Sequence, residues 1–182
     1  FPSKNLGGFG DGGMVATQHR ELADLIRMLI KHGGKDKYNV EHIGYNGRLD
    51  TLQAAVVQAK LPFLDEFNRS RRNIASRYIH GLKGLKGIVL PTYEPGHVYH
   101  QYTVWVENGR RSALQSHLKG HGISSMVYYP FPLHKMGVFH DRCVTFSPMT
   151  HTEQACDSVL SLPMDPLMHE DAIQKVIETI RK

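Results

Sequence analysis

The sequence predicts a mixed α/β chain in three parts, and three observations support this. Residues 1–47 combine a glycine-rich loop, an apolar run and an amphipathic helix pattern. Residues 48–87 carry helical periodicity almost throughout, and residues 88–182 alternate between strand-like and helix-like segments. Strands are expected at 98–106 and 123–129, which makes the last part a small α+β domain.

The first part is expected to run from loop to strand to helix. Met14–Thr17 is a short apolar run after the glycines, and it predicts a buried strand. A helix follows, because apolar side chains then recur at intervals of three and four residues: Leu22, Leu25, Ile26, Leu29 and Ile30. Gly33 and Gly34 are expected to end that helix.

Helix-forming residues fill the second part, and helices alternate with strands in the third. A helix is predicted over 48–60, and Pro62 marks a kink or a new helix start. A long amphipathic helix then continues until Gly81, Gly84 and Gly87 interrupt it. Further helices are predicted over 113–118, over 152–159 with Thr152 as its cap, and over 172–180.

Composition and charge exclude several classes of protein. Hydrophobic residues make up 41% of the 182 residues and charged residues 21%, which is typical of a globular chain. The net charge is +5, which suits small anions but lacks the clustered basic face of nucleic-acid-binding proteins. No apolar run approaches the roughly 20 residues of a membrane span. We therefore expect neither nucleic acid nor a membrane as a partner.

Cysteine and histidine spacings favour a cytoplasmic protein without a metal site. Cys143 and Cys156 form no metal-type motif and are too few for a disulfide framework, so we expect both to be buried apolar fillers. His117 and His121 are four residues apart, but the glutamate of a zinc-protease motif is absent between them.

The glycines of the first part do not form a nucleotide loop. Gly8, Gly10 and Gly13 match the spacing of the dinucleotide fingerprint, which must follow a strand and open a helix. Here a Pro-Ser-Lys lead precedes them and a strand-like run follows. We expect these glycines to permit left-handed backbone and a close approach to something bulky.

Lys4 is the candidate catalytic residue of this loop. A lysine beside a glycine-lined hollow can be desolvated, which lowers its pKa and frees the amine to condense with a carbonyl. The segment Pro2–Gly13 resembles the cofactor-lysine segment of the DegT/DnrJ/EryC1/StrS family of sugar aminotransferases. Four more segments resemble motifs of this family, in the same order: Ile43–Ala55, His100–Tyr102, Tyr129–His134 and Leu160–Met164.

The resemblance implies a fold and a cofactor. The chain would be the carboxy-terminal part of a fold-type I pyridoxal-phosphate enzyme. Residues 1–47 would end the large cofactor-binding domain, 48–87 would form long connecting helices, and 88–182 would form the small carboxy-terminal domain. Lys4 would form the Schiff base with pyridoxal 5'-phosphate and later move the proton of the amino donor.

The resemblance also implies substrates and a shared site. The enzyme would transfer an amino group to a nucleotide-linked keto sugar, with glutamate as the expected donor. In a homodimer, Asn46 would donate to the cofactor phosphate of the neighbouring subunit, and Arg48 would hold an anionic substrate group. Tyr129 and His134 would lie near the sugar-nucleotide entrance. Tyr128 stands where many members have His, which leaves the identity of the sugar open.

The sequence leaves two other readings open. Some family members are sugar dehydratases with His in place of the cofactor lysine, and Lys4 argues against that reading. Alternatively, the chain is a non-catalytic fragment or dimerisation module. Family members carry roughly as much chain again before the lysine, including the Asp that pairs with the pyridinium nitrogen. The isolated chain is therefore expected to be inactive.

Overall fold

A computed structural model describes residues 1–182, which form two compact units. The first unit comprises Phe1–Leu64 and the second Asp65–Lys182. The predicted three-part division, with borders after residues 47 and 87, stays a prediction. None of the helices combines the length and the apolarity needed to cross a lipid bilayer.

The first unit contains two helices joined by irregular backbone. Helix α1 comprises Arg20–Leu29 and helix α2 comprises Thr51–Lys60, which confirms both predicted helices. A single 3₁₀ turn at Leu61–Phe63, with Pro62 inside it, leads into helix α3 (Leu64–Leu82). The proline thus marks a new helix start, as predicted.

The predicted buried strand at Met14–Thr17 is wrong. This segment is irregular, and its Met14 side chain is 83% exposed. A strand must pair its backbone N–H and C=O groups with a neighbour. The only sheet of the protein lies in the second unit, so this segment has no strand to pair with.

The first unit lacks a hydrophobic core. Every buried hydrophobic residue of the protein lies between Ile74 and Ile180, in the second unit. Helix α1 has a strongly amphipathic sequence but no buried residue. Several apolar side chains of α1 and α2, among them Ile26, Leu29 and Val57, are only partly buried, so apolar burial contributes less here than in the second unit.

Close backbone packing fixes the chain between α1 and α2. Gly33 has a φ of +85°, and a Cβ there would lie 1.7 Å from the carbonyl oxygen of His42. Gly44 packs as tightly, since its Cβ would lie 2.1 Å from the nitrogen of Gly33. A β-bridge also joins Lys31 to Asn46, next to these packed glycines in the chain. Only glycine permits both the conformation and the approach.

The second unit is built on a three-stranded antiparallel sheet. Its strands are β1 (Ile88–Val89), β2 (Tyr102–Val106) and β3 (Val159–Leu162), in the order β1-β2-β3. Tyr102 lies opposite Leu162, and Ile88 lies opposite Val106. The predicted strand at 98–106 is therefore confirmed in its second half only.

The predicted strand at 123–129 is wrong, and β3 takes its place in the sheet. Only Met126 pairs there, in an isolated bridge with Ser161 whose two N–O distances are 3.1 and 2.7 Å. On one side of this bridge the ladder cannot continue, because Ser124 would lie opposite Pro163, which has no N–H.

Three helices complete the second unit, and all three were predicted. They are α4 (Arg111–Gly120), α5 (Thr150–Ser158) and α6 (Glu170–Arg181). The predicted cap of α5 is wrong, since Met149 rather than Thr152 precedes its first turn. One apolar core joins the sheet with α3, α4 and α6, and its members include Tyr78, Tyr102, Leu118, Leu160 and Ile177.

The two cysteines differ in exposure. Cys156 is buried as expected, whereas Cys143 is exposed.

Arg71 of α3 links two of the motif segments inside this unit. Its side chain is buried, and Nη1 donates to the carbonyl oxygens of Tyr99 (3.3 Å), His100 (3.3 Å) and Met164 (3.0 Å). Burial lowers the pKa of Arg71, and the charge of Asp165 partly opposes that shift. The segments His100–Tyr102 and Leu160–Met164 are thus held together by the fold itself.

We predict that Gly81→Ala destabilises the second unit. A Cβ at Gly81 would lie 2.7 Å from Cδ1 and 2.8 Å from Cγ2 of Ile177, a β-branched residue with little rotamer freedom. Overpacking costs about 1–3 kcal/mol, which exceeds the gain of about 1 kcal/mol in helix propensity. Urea denaturation measures the difference. Gly120→Ala is the control, because its Cβ would meet nothing within 4 Å. Equal or greater stability of Gly81→Ala would contradict the packing argument.

Candidate functional site

Lys4 lies on irregular backbone at the surface of the first unit. Its side chain is exposed and makes neither a hydrogen bond nor an ion pair. The expectation of a desolvated amine is therefore wrong for this chain on its own. In the loop that follows, residues 5–13, Gly7 and Gly8 are buried.

Helix α2 holds the loop that carries Lys4. The Oε1 atom of Gln53 accepts the backbone N–H of Phe9 at 2.8 Å. The ammonium of Lys60 donates to the carbonyl oxygen of Gly7 at 2.9 Å and lies 5.1 Å from the centroid of the Phe9 ring. These contacts fix the backbone on both sides of Gly8.

Gly8 and Gly10 lie close to the side chain of Gln53 rather than in left-handed backbone. A Cβ at Gly8 would lie 2.9 Å from Oε1 of Gln53, and one at Gly10 would lie 3.1 Å from Nε2 of the same side chain. None of the glycines between Gly7 and Gly13 has a positive φ, so the predicted left-handed backbone is wrong. The bulky neighbour is a side chain of the protein itself.

Asn46 and Arg48 form a second polar cluster, just before α2. The guanidinium of Arg48 donates to Oδ1 of Asn46 from Nη2 at 3.0 Å and from Nε at 3.3 Å. Because the oxygen is engaged, the Nδ2 amino group of Asn46 is the end that is free to donate. Both side chains are at the surface. The cluster therefore offers an amide donor beside a fixed positive charge.

This chemistry fits the phosphate of pyridoxal phosphate. A phosphate group accepts hydrogen bonds through several oxygens and prefers cationic neighbours. The amide of Asn46 supplies the hydrogen-bond donor and the guanidinium of Arg48 supplies the positive charge. The amine of Lys4 has no hydrogen-bond partner in this chain. No group of three or more His, Cys, Asp or Glu side chains is arranged to hold a metal ion.

The two remaining predicted residues both lie in the second unit and differ in exposure. Tyr129 is 64% exposed, and its ring meets the Tyr128 ring edge-on at 5.6 Å. Its phenol is therefore open to solvent. His134 instead lies in the turn Leu133–Lys135 and is largely covered.

His134 is held by Glu153 of helix α5. Nε2 of His134 lies 3.0 Å from one carboxylate oxygen, and Nζ of Lys135 lies 2.7 Å from the other. The hydrogen bonds from Lys135 and His134 lower the pKa of Glu153. An apolar cavity of about 530 Å³ opens beside His134, lined in part by Leu133, Phe139, Val144, Phe146 and Met149.

The sequence profile of the DegT/DnrJ/EryC1/StrS aminotransferase family matches residues 1–181. The chain belongs to this family. The family depends on pyridoxal phosphate, and its solved members share the fold of this chain.

Individual relatives match the chain over its whole length. A "pleiotropic regulatory protein" of Geobacillus stearothermophilus is 43% identical over 99% of this chain and 49% of its own length. A dTDP-3-amino-3,4,6-trideoxy-alpha-D-glucose transaminase of Streptomyces venezuelae is 40% identical over 100% of this chain and 48% of its own. The crystal structure of DesV from S. venezuelae superposes with a TM-score of 0.92 at 40% identity, covering 100% of this chain and 49% of that one. The chain thus spans about half the length of these relatives.

Sequence reasoning missed the side chains that hold this family's lysine loop. Gln53 lies inside a quoted motif but carried no assigned role, and Lys60 lay outside every motif. Gln53, Val57 and Lys60 occupy positions i, i+4 and i+7 of α2 and share one helix face. The signal available in the sequence was this spacing, which places a polar residue at each end of one helix face. Glu153 gave no comparable signal.

We predict that Glu153→Gln lowers the stability of the protein near neutral pH and has little effect on it in acid. A lowered pKa means that the folded state favours the carboxylate. The stabilisation is therefore present above the ordinary value of 4.5 and is lost as the pH falls through the lowered folded value. Thermal unfolding across pH measures the difference from wild type. Glu107→Gln is the control, since that exposed side chain makes no ion pair. A difference that persists below the folded pKa of Glu153 would contradict this assignment.

Proposed function

We propose that the full-length protein containing this chain is a pyridoxal-phosphate-dependent transaminase that acts on a nucleotide-linked keto sugar, with glutamate as the amino donor. The family match across residues 1–181, with Lys4 in an anchored glycine loop, carries the proposal. Sugar transaminases among the relatives support the substrate class.

Lys4 is proposed as the residue that binds the cofactor covalently and moves the proton. Its amine has no competing partner in this chain, so it is available for both tasks. When bound, pyridoxal phosphate supplies an aldehyde for the amino group and a ring that accepts the electron pair left on the donor's Cα. The Nζ atom of Lys4 would carry the proton that leaves this Cα.

Asn46 and Arg48 are proposed to act on anionic groups. The Nδ2 group of Asn46 would donate to the cofactor phosphate of a neighbouring subunit, which makes a homodimer with shared sites part of the proposal. Arg48 orients that amide through Oδ1 and adds positive charge. It would also meet an anionic group of the substrate.

Tyr129 and His134 are proposed to meet the sugar nucleotide. The exposed phenol of Tyr129 can donate or accept a hydrogen bond. His134 is fixed by Glu153 beside an apolar cavity, so its ring is held in one orientation toward a ligand that enters there. The cellular location of the full-length protein would be the cytoplasm. The chain by itself is expected to be inactive, since it spans about half of its relatives' length.

A non-catalytic role remains the second candidate, because one similar protein is described as a regulatory protein rather than as an enzyme. In that case residues 1–64 would serve assembly alone, and Lys4 would be dispensable. The following experiment separates the two candidates.

We predict that Lys4→Ala lowers kcat of the full-length enzyme by about 100-fold or more, because a positioned proton-transfer group contributes about 10²–10⁴. The cofactor's visible absorption should also shift, since the covalent link is lost. Lys37→Ala is the matched control, because Lys37 is an exposed lysine of the same unit. Unchanged turnover and absorption in Lys4→Ala would refute the proposed function.

We predict that Asn46→Asp weakens pyridoxal-phosphate binding by about tenfold or more, as expected when a hydrogen bond to a charged group worth about 1.5–3 kcal/mol is lost. Aspartate keeps the acceptor for Arg48 but replaces the Nδ2 donor with a negative charge. Absorbance titration of the full-length apoenzyme gives the Kd. Asn39→Asp is the control, an exposed asparagine of the same unit. Equal affinities for the two variants would show that Asn46 does not face the phosphate.

A further inference from the structure

We infer that Gln53 and Lys60 are positioning residues, which hold the Lys4 loop in the geometry that proton transfer requires. This inference rests on the proposed function and adds to it two residues outside the proposed site. Both side chains belong to α2, and both act on the loop backbone rather than on Lys4 itself.

Two anchors from one helix face fix the loop at two points. Gln53 and Lys60 are seven residues apart, which is close to two helical turns, so their side chains point the same way. Gln53 accepts from the nitrogen of Phe9, and Lys60 donates to the carbonyl oxygen of Gly7. The two anchored atoms flank Gly8, and Val57 lies beneath it: a Cβ on Gly8 would be 3.7 Å from Cγ2 of Val57.

The ring of Phe9 extends this contact. The Phe9 side chain is 78% exposed, yet the Lys60 ammonium lies 5.1 Å from its ring centroid, within the range of a cation–π contact. One ammonium therefore contacts both the backbone of Gly7 and the ring of Phe9. Methionine at residue 60 would remove both interactions, whereas arginine can keep both.

The α2 anchors join to a helix a loop that has no regular structure of its own. Residues 1–19 form neither helix nor strand, and no hydrophobic side chain of this unit is fully buried. The amino group of Phe1 donates to the carbonyl oxygen of Gly12 at 3.2 Å, a contact within the loop. Loss of the α2 anchors is therefore expected to shift the backbone that carries Lys4.

The inference predicts a loss of turnover rather than of substrate binding. A shift of about 1 Å at a reacting group can cost about 100-fold in rate. Gln53→Leu and Lys60→Met in the full-length enzyme should therefore lower kcat by about 10- to 100-fold, with KM for the amino donor nearly unchanged. Gln53→Glu and Lys60→Arg should recover most of the rate, because they keep the acceptor and the donor.

A second readout does not depend on catalysis. Amide hydrogen exchange of the peptide that contains Phe9, measured by mass spectrometry on the full-length protein, should be faster in Gln53→Leu than in wild type, because the N–H loses its acceptor. The matched control is Gln58→Leu, since Gln58 is an exposed glutamine on the same helix. It should leave both the exchange rate and kcat unchanged.

The outcomes separate this inference from the proposed function. If Lys4→Ala keeps full activity, the proposed function fails whatever the loop anchors do. If Lys4 is essential but Gln53→Leu and Lys60→Met turn over like Gln58→Leu, the positioning role is refuted alone. It is also refuted if the peptide that contains Phe9 exchanges faster while kcat does not change, or if Gln53→Glu is as slow as Gln53→Leu.

Discussion

The contacts of Gln53 and Lys60 with the backbone of Phe9 and Gly7 are the constraint on which the first unit depends. That unit has no sheet and no buried hydrophobic side chain, so burial of apolar surface does not order the loop. The glycines of the loop follow from this constraint. At Gly8 a Cβ would come within 2.9 Å of Oε1 of Gln53, so a side chain there would displace the oxygen that accepts the Phe9 N–H.

The second unit is stabilised in the more usual way, by an apolar core, with one buried polar link. Arg71 satisfies three carbonyl oxygens from two separate chain segments, and Tyr78 adds a hydrogen bond of 2.9 Å to the carbonyl oxygen of Pro163. Unpaired carbonyls are costly in a protein interior, so these donors fix the route of the chain through Tyr99 and Met164. Motif segments that suggested chemistry from sequence therefore have a structural role here.

Helices were predictable from the sequence because their periodicity is local. All six predicted helices are present, including α6, whose apolar residues recur along one face. Strands were less predictable, since a strand forms only where a partner exists. Met14–Thr17 has the right composition but no partner, whereas Val159–Leu162 lies beside β2 and pairs with it.

The candidate site was predictable only in part, because it too depends on which groups lie next to each other in the folded chain. Resemblance to a family pointed to Lys4, Asn46 and Arg48, but no pattern could give the exposure of Lys4. That exposure depends on which atoms surround it in three dimensions. The roles of Gln53 and Glu153 likewise arise from contacts with residues 44 and 19 positions away in the chain. Local sequence carries little information about such contacts.

The proposed function requires that the cofactor be attached to the amine of Lys4. Borohydride reduction of the full-length protein with bound pyridoxal phosphate, followed by peptide mass spectrometry, locates the attachment. We expect the added cofactor mass on the peptide that contains Lys4, in nearly every molecule that bound the cofactor. Cofactor mass on a different lysine, or a Lys4 peptide without added mass, would contradict it.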